Sequence, residues 1–476
     1  MSTRDDRRSY TQHVPIGDRM ILNKVQATGP WPTVFELDLG EAAQLNTSNG
    51  TTVIKPIDIE YHTEPEYWVD GIHDNRIIAA AMVTVEVDGE PMVLCCRPGV
   101  LPVTVGGVRL MVETVGKWAH GFIQYRPLYH GYQDVCFSVI EAGLPWAPED
   151  IMFPIANYRW RSSTYHNTWG SMVPFNCVYY QRGEDLGAIP DRLSVVAMRD
   201  GTVVKAPRPG VAQDYNPVTQ DVGDGAQIRY SHMNIEYLRT DVVAGTELKR
   251  GEHIGLTGQT RIGARKLLYE PRLNVELYLD EIQVNPYPML IESYFRTYPD
   301  EVLALAGNFG HVRTNGTYRL DASRSVARPG SEIVDYEWHL HDGSVVKGIY
   351  ADVHYERPGY YAEELVVRTA DGAEDWDAIS VRVYAPTWSK KIARGWAYYS
   401  PSREIRPGTE VEFWTCLLDV NNVLIDFGDG SPEQPIGAFD SITHTYEEPG
   451  LYMVSVSGEG PKKEPAQVKM RLRVEP

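Results

Sequence analysis

Five cysteines in 476 residues are too few, and too irregularly placed, to organise a fold. Cys95, Cys96, Cys136, Cys177 and Cys416 have no metal-site spacing, and their odd number suits reduced thiols better than a disulfide framework. The neighbours Cys95 and Cys96 read as ordinary strand residues pointing to opposite faces. No stretch reaches the roughly 18 apolar residues that a membrane-spanning helix needs, so no membrane insertion is expected. The opening run MSTRDDRRSYTQHVPIGDRM lacks the apolar centre of a secretion signal, which leans toward a cytoplasmic location. Basic charge is also short. Against 64 Asp and Glu stand 45 Lys and Arg, and the net charge of −19 argues against a nucleic-acid or anionic-membrane partner. Long helical periods are nearly missing.

What the chain has instead is β character. Its 29 tyrosines, 41 glycines and 32 prolines accompany many short alternating runs, and its length calls for three or four cores. The expected class is therefore an all-β multidomain protein. Residues 1–25 are polar and basic and read as a loose arm. Up to residue 150, runs such as TVFELDL, MVTVEVDGEPMVLCC and DVCFSVIEAG, separated by turn pairs such as Asp88-Gly89, read as a β-sandwich, with a jelly roll as one form it could take. Residues 151–178 are aromatic and punctuated by proline, which suits an ordered connector packed on the next domain. The block 179–300 has its own strands and closes with EIQVNPYPMLIESYF, after which PDEVLALAG (299–307) is expected to form a short helix.

The middle block carries a recognisable cadence. YQRGEDLG is followed by IRYSHMNIEYL, then by AGTELKRGEHIGLTGQTRIG and EPRLNVELYLD. This resembles the lysostaphin-type (LytM-like) zinc endopeptidases, whose motifs are H-x-G-x-D, a later Tyr-x-His, a glycine-punctuated hairpin and G-P-H-L-H-F-E. The resemblance places Gln181, Asp185 and Asn274 at the three zinc-ligand positions. It places His232 and Arg272 at the two catalytic histidine positions, and Glu276 at the end of the last motif. Two of three ligands are thus neutral amides, which bind Zn²⁺ poorly beside imidazole, and Arg272 adds a permanent positive charge. The expectation is a degenerate metal site with no cofactor, in which an Arg272–Asp185 pair fills the metal's volume and Gln181 and Asn274 bond across the pocket. The glycine-rich run GQTRIGAR (258–265) resembles the family's loop beside the cleft and has no phosphate-loop spacing.

Residues 305–385 and 390–476 resemble each other and resemble PKD-type immunoglobulin-like domains. The family's W-x-F-G-D-G stands as Trp338-His339-Leu340-His341-Asp342-Gly343 and as Ile425-Asp426-Phe427-Gly428-Asp429-Gly430. Its H-x-Y-x-x-P-G-x-Y stands as His354, Tyr355, Pro358, Gly359 and Tyr361, and as His444, Tyr446, Pro449, Gly450 and Tyr452. These histidines read as structural.

Other clusters speak less clearly. His62, Glu64, Glu66, Asp70, His73 and Asp74 could hold a metal, although a solvated loop explains them as well. Trp118, Tyr125, Trp160, Tyr165 and Trp169 could stack sugars or simply pack two domains together. The resulting expectation is a non-catalytic pseudo-peptidase that binds or assembles with glycan, peptidoglycan-like or protein ligands at Gln181, Asp185, Asn274 and Glu276. One alternative is a metal-independent carbohydrate-active enzyme using His232 and Arg272. Another is a divergent zinc peptidase drawing ligands from His166 or His253. The habit of both resembled families is extracytoplasmic, against the lean given by the N-terminus.

Overall fold

The computed structural model describes residues 22–68, 71–116, 133–174, 178–260, 267–385 and 393–476. Nearly every regular element is a strand.

The first domain is a sandwich. A five-stranded sheet runs in the spatial order Leu22–Gln26, Ala42–Thr47, Gly50–Trp68, Gly71–Val87, Glu90–Cys96. It faces a four-stranded sheet ordered Thr33–Leu37, Val135–Glu141, Val108–Val115, Val103–Val105. Phe35, Leu45, Val83, Leu110 and Phe137 fill the space between them. The hairpin from Val87 to Glu90 turns on Asp88 and Gly89, both at positive φ, as a two-residue loop requires. Strand Val135–Glu141 is buried at all seven positions, so both its faces are covered. The reason lies outside the sandwich: Trp31, Val34 and Cys136 on the outer face belong to the core of the next module.

That module centres on strand Leu267–Leu279. Across it the sheet runs His166–Asn167, Glu184–Gly187, Leu267–Leu279, Ala226–Ser231, Val218–Gly223, Gly201–Lys205, Glu247–Leu248. Strands Gly258–Thr260 and Ile282–Val284 pair with its two ends. The turn into Glu184–Gly187 needs Gly183, which sits at φ 72° where a Cβ would meet the Val275 carbonyl oxygen at 2.5 Å.

The expected helix over 299–307 is not there. Helix Tyr287–Thr297 forms instead, inside the segment read as closing the block. Pro286 caps it and Pro288 lies in its first turn, where a missing N–H costs nothing. Residues 299–300 turn and 301–307 form no helix: Leu303 bridges Val326, and the Ala304 and Ala306 N–H groups each donate to a carboxylate, of Asp375 and of Asp377, at 2.8 Å. Those acceptors satisfy N–H groups that a helix would have turned inward.

The two C-terminal sandwiches share a sheet, because strand Gly359–Thr369 of the first meets Pro465–Val474 of the second at Tyr360 and Ala466. Their cores hold Trp338 and Tyr355, and Phe427 and Tyr446. The connector ties them to the middle module. Arg159 pairs with Glu301 at 2.9 Å and Glu475 at 3.1 Å, and Arg161 with Asp377 at 3.0 Å.

Candidate functional site

Four strands bring four polar residues into one row. Asn167 lies opposite Asp185, Asp185 opposite Asn274, and Asn274 opposite Ser231. Period-two alternation then puts Arg272, Asn274 and Glu276 on one face of the central strand. Arg272 Nε lies 3.1 Å from Asp185 Oδ2, with Asp185 fully buried and Arg272 9% exposed. The Asn274 amide donates to Asp185 Oδ1 at 2.8 Å. Tyr165 Oη donates to Asp185 Oδ2 at 3.0 Å, and the Asn167 amide donates to the same oxygen at 3.1 Å. Arg272 also lies over the Tyr165 ring, 5.2 Å from its centre, and donates to the Glu270 carbonyl at 2.8 Å. A buried carboxylate is thereby matched by one guanidinium and three neutral donors, the condition under which burying charge is tolerable.

Gln181 and Asn274 do not bond across the pocket as expected. Each amide donates instead to the Arg182 carbonyl, at 3.0 Å in both cases. Glu276 stands apart from Asp185: Arg229 approaches it at 3.5 Å, Gln283 donates to it at 3.0 Å, and Tyr278 Oη donates to it as well. His232 sits at φ 78° and is buried, with the Tyr215 ring edge-on at 5.0 Å. Its Nδ1 lies 2.7 Å from the Thr260 carbonyl, which can only accept, so Nδ1 carries the proton and Nε2 is bare. Burial, and after it the Arg272 charge, hold this imidazole well below its ordinary pKa, and it is neutral.

The proposed substitute zinc ligands do not join this set. His166 faces away from Asp185 and meets Glu184 at 2.6 Å. Burial raises the Glu184 carboxyl well above its usual range and depresses the His166 imidazole. His253 belongs to a separate two-stranded sheet and bonds the Ser194 hydroxyl at 2.6 Å. The residues present do not fit a zinc ion. Both Asp185 oxygens already accept hydrogen bonds, two ligand positions offer only amides, and a guanidinium stands where a cation would have to approach. Among the described residues, no three His, Cys, Asp or Glu side chains gather as metal ligands.

The remaining clusters resolve as follows. Trp160, Tyr165 and Trp169 are buried, so they pack domains and offer no sugar-stacking platform, while Trp118 and Tyr125 lie outside the described residues. His62 lies 3.8 Å from Glu64, and Glu66 accepts from Asn75 at 2.9 Å. Asp70 and the side chains of His73 and Asp74 lie outside the described residues. Of the PKD-type histidines, His341 bonds Glu363 and His444 bonds Asp429, each at 2.7 Å, whereas His354 is exposed, with its Nδ1 3.5 Å from the Thr317 hydroxyl. Tyr165 and Asn167 are the partners of Asp185 that motif reading missed. Tyr165 directly precedes strand His166–Asn167, and its spacing of two from Asn167 was the available signal.

Residues 179–286 match the model of peptidase family M23, and residues 303–383 and 396–469 match models of the PKD domain. The chain carries an M23 peptidase-type module followed by two PKD domains. Similar solved structures include the catalytic domain, in a mutant form, of the prophage-encoded M23 protein EnpA from Enterococcus faecalis. It is 21% identical over 26% of this chain and 88% of that one, with a TM-score of 0.20. The fibronectin(III)-like modules of CbhA from Clostridium thermocellum are 12% identical over 35% of this chain and 89% of theirs, with a TM-score of 0.15. Among curated proteins none matches. No helix of the described residues is long and apolar enough to cross a membrane. The motif resemblance implies that Gln181, Asp185 and Asn274 stand at the ligand positions of this module and His232 and Arg272 at its catalytic ones.

Proposed function

We propose that this chain is a non-catalytic member of the peptidase-family architecture, a pseudo-peptidase that binds or assembles with glycan or cell-wall material and uses no metal cofactor. The observation that carries the reading is the engagement of Asp185. Its two oxygens are taken by Arg272, Asn274, Tyr165 and Asn167, so the group a metal-dependent hydrolase would need is committed to holding the fold. A hydrolase also needs reactive groups that converge on open space. Here Asp185, His232, Arg272 and Asn274 are all buried. The metal-independent enzyme gains nothing from this arrangement, because His232 Nδ1 donates to the Thr260 carbonyl and Arg272 Nη1 to the Glu270 carbonyl, and both side chains are buried.

Partners expected on this reading are peptidoglycan-like glycan or a protein bound at that material, reached through outer surfaces of the sandwich and the PKD domains. The test is co-sedimentation of the purified chain with insoluble peptidoglycan, with the soluble fraction examined for released fragments. Binding without release is expected. Fragment release that an Asp185→Ala variant abolishes would overturn the reading.

A further inference from the structure

The M23 site is covered by another part of the same chain. Strand Arg394–Ser400 of the second PKD domain runs beside the connector: Ser163 bridges Tyr398, the Thr164 N–H donates to the Ala397 carbonyl at 3.0 Å, and the Ala397 N–H donates to Thr164 Oγ1 at 3.0 Å. Trp396 meets the Tyr165 ring edge-on, with centroids 5.5 Å apart. Tyr165, Ile189, Trp396, Tyr398 and Cys416 form one buried cluster. Tyr165 is therefore contacted from two sides. Arg272 lies over its ring and Asp185 accepts a hydrogen bond from its hydroxyl, while Trp396 packs against its edge.

We propose that the altered M23 site works as a socket for the chain's own second PKD domain. The Asp185–Arg272 pair fixes Tyr165, and Tyr165 fastens Trp396, so that the domain is latched over the site as a lid. The residues that replaced a metal centre have then become positioning residues for a domain interface. This goes beyond the reading above, since a latched lid would cover an inert module and an active one alike. It also means that the opened socket would offer Arg272 and the Tyr165 hydroxyl to an anionic or carboxylate-bearing group, and that any such ligand would compete with Trp396.

The physical argument rests on which contacts are local and which cross domains. Asp185, Asn274 and Arg272 belong to the M23 sheet and would satisfy one another without help. Tyr165 is the group that belongs to both sides, since its hydroxyl is spent on Asp185 and its ring on Trp396. Removing the charge of Asp185 loosens the tyrosine, and the lid should feel it although no lid residue has changed. A site whose residues merely satisfy one another would pass nothing on.

Hydrogen exchange on the full chain tests this, together with alkylation of Cys416, which stands opposite Trp396 on the lid's neighbouring strand Glu410–Leu418 and is fully buried. Asp185→Asn and Tyr165→Phe are expected to raise exchange across 394–400 and the Cys416 labelling rate by about tenfold or more, while strand Gly450–Glu459 of the same domain keeps its protection. Changes confined to 163–187, with 394–400 and Cys416 as in the parent, would overturn the proposal. Should Asp185→Asn fail to fold, Trp396→Leu reads the coupling from the lid side. Faster exchange at 184–187 is then expected, and unchanged exchange there overturns it.

Discussion

Asp185 and Asn274 face each other across adjacent antiparallel strands, and the amide of one donates to the carboxylate of the other at 2.8 Å. The motif resemblance implies that these are two zinc-ligand positions. Here they bond directly, and Arg272, 3.1 Å from the same carboxylate, supplies the positive charge. A buried carboxylate that loses its cation is left with neutral donors alone. Arg272→Ala should therefore lower stability by about 3–5 kcal/mol. Urea unfolding followed by a probe in the M23 module measures it, and a loss under about 1 kcal/mol, the range of surface pairs, would mean the pairing is unimportant.

Glu113 supplies a pH dependence. It reaches from the sandwich strand Val108–Val115 to accept the Asn285 N–H at 2.9 Å, just ahead of helix Tyr287–Thr297, and also accepts the Ser138 hydroxyl. Burial raises its pKa to about 7 from 4.5, against the lowering effect of those two bonds. The folded state thus holds a proton that the unfolded state gives up near pH 4.5. Stability is greatest below that pH and falls as pH rises to about 7, by roughly 3 kcal/mol for this group alone. Glu113→Gln should flatten that part of the stability profile between pH 5 and 7. An unchanged slope in the variant would assign it to another group.

Gly183 makes a sharper test of the site's architecture than any polar residue. At φ 72°, with a prospective Cβ 2.5 Å from the Val275 oxygen, it cannot be replaced without moving backbone. Gly183→Ala should cost more than about 1 kcal/mol and displace Asp185 from Asn274. Loss of the slow-exchanging amides in 184–187 would report that displacement, and a variant with parental exchange would contradict it.

Trp338 is fully buried in the first PKD core. Truncation by Trp338→Ala should cost about 3–5 kcal/mol. Because Gly359–Thr369 pairs with Pro465–Val474 across the two PKD domains, exchange in 465–474 should rise as well. Destabilisation confined to 305–385 would show that the shared sheet does not couple the two.

Much of this was legible in the sequence, for physical reasons. Alternation and turn pairs mark strands wherever one face is wet, and the motif resemblance grouped Asp185, Arg272 and Asn274 in one site without giving the register that sets Asp185 opposite Asn274. The Arg272–Asp185 pair followed from charge, since a guanidinium beside a carboxylate in a closed site has little else to do. What stayed hidden was decided by tertiary contact. Helix Tyr287–Thr297 was masked by Pro286 and Pro288, whose first-turn placement is permitted but reads as a break. The helix expected over 299–307 lost to Asp375 and Asp377, 71 residues further on, which capture its N–H groups. Tyr165 and Asn167 reach Asp185 from a different segment, and nothing in their local pattern says which carboxylate they will find. Trp396 over Tyr165 is more remote still, a contact between domains with no local sequence signal.

The central claim is that the M23 site has exchanged its metal for an internal ion pair. Elemental mass spectrometry of the purified chain, beside the triple variant Gln181→His/Arg272→His/Asn274→His, tests it most directly. Zinc far below one equivalent in the parent, with stoichiometric zinc in the triple variant, is the predicted result. Stoichiometric zinc in the parent would contradict the account and return the chain to the metal-dependent peptidases.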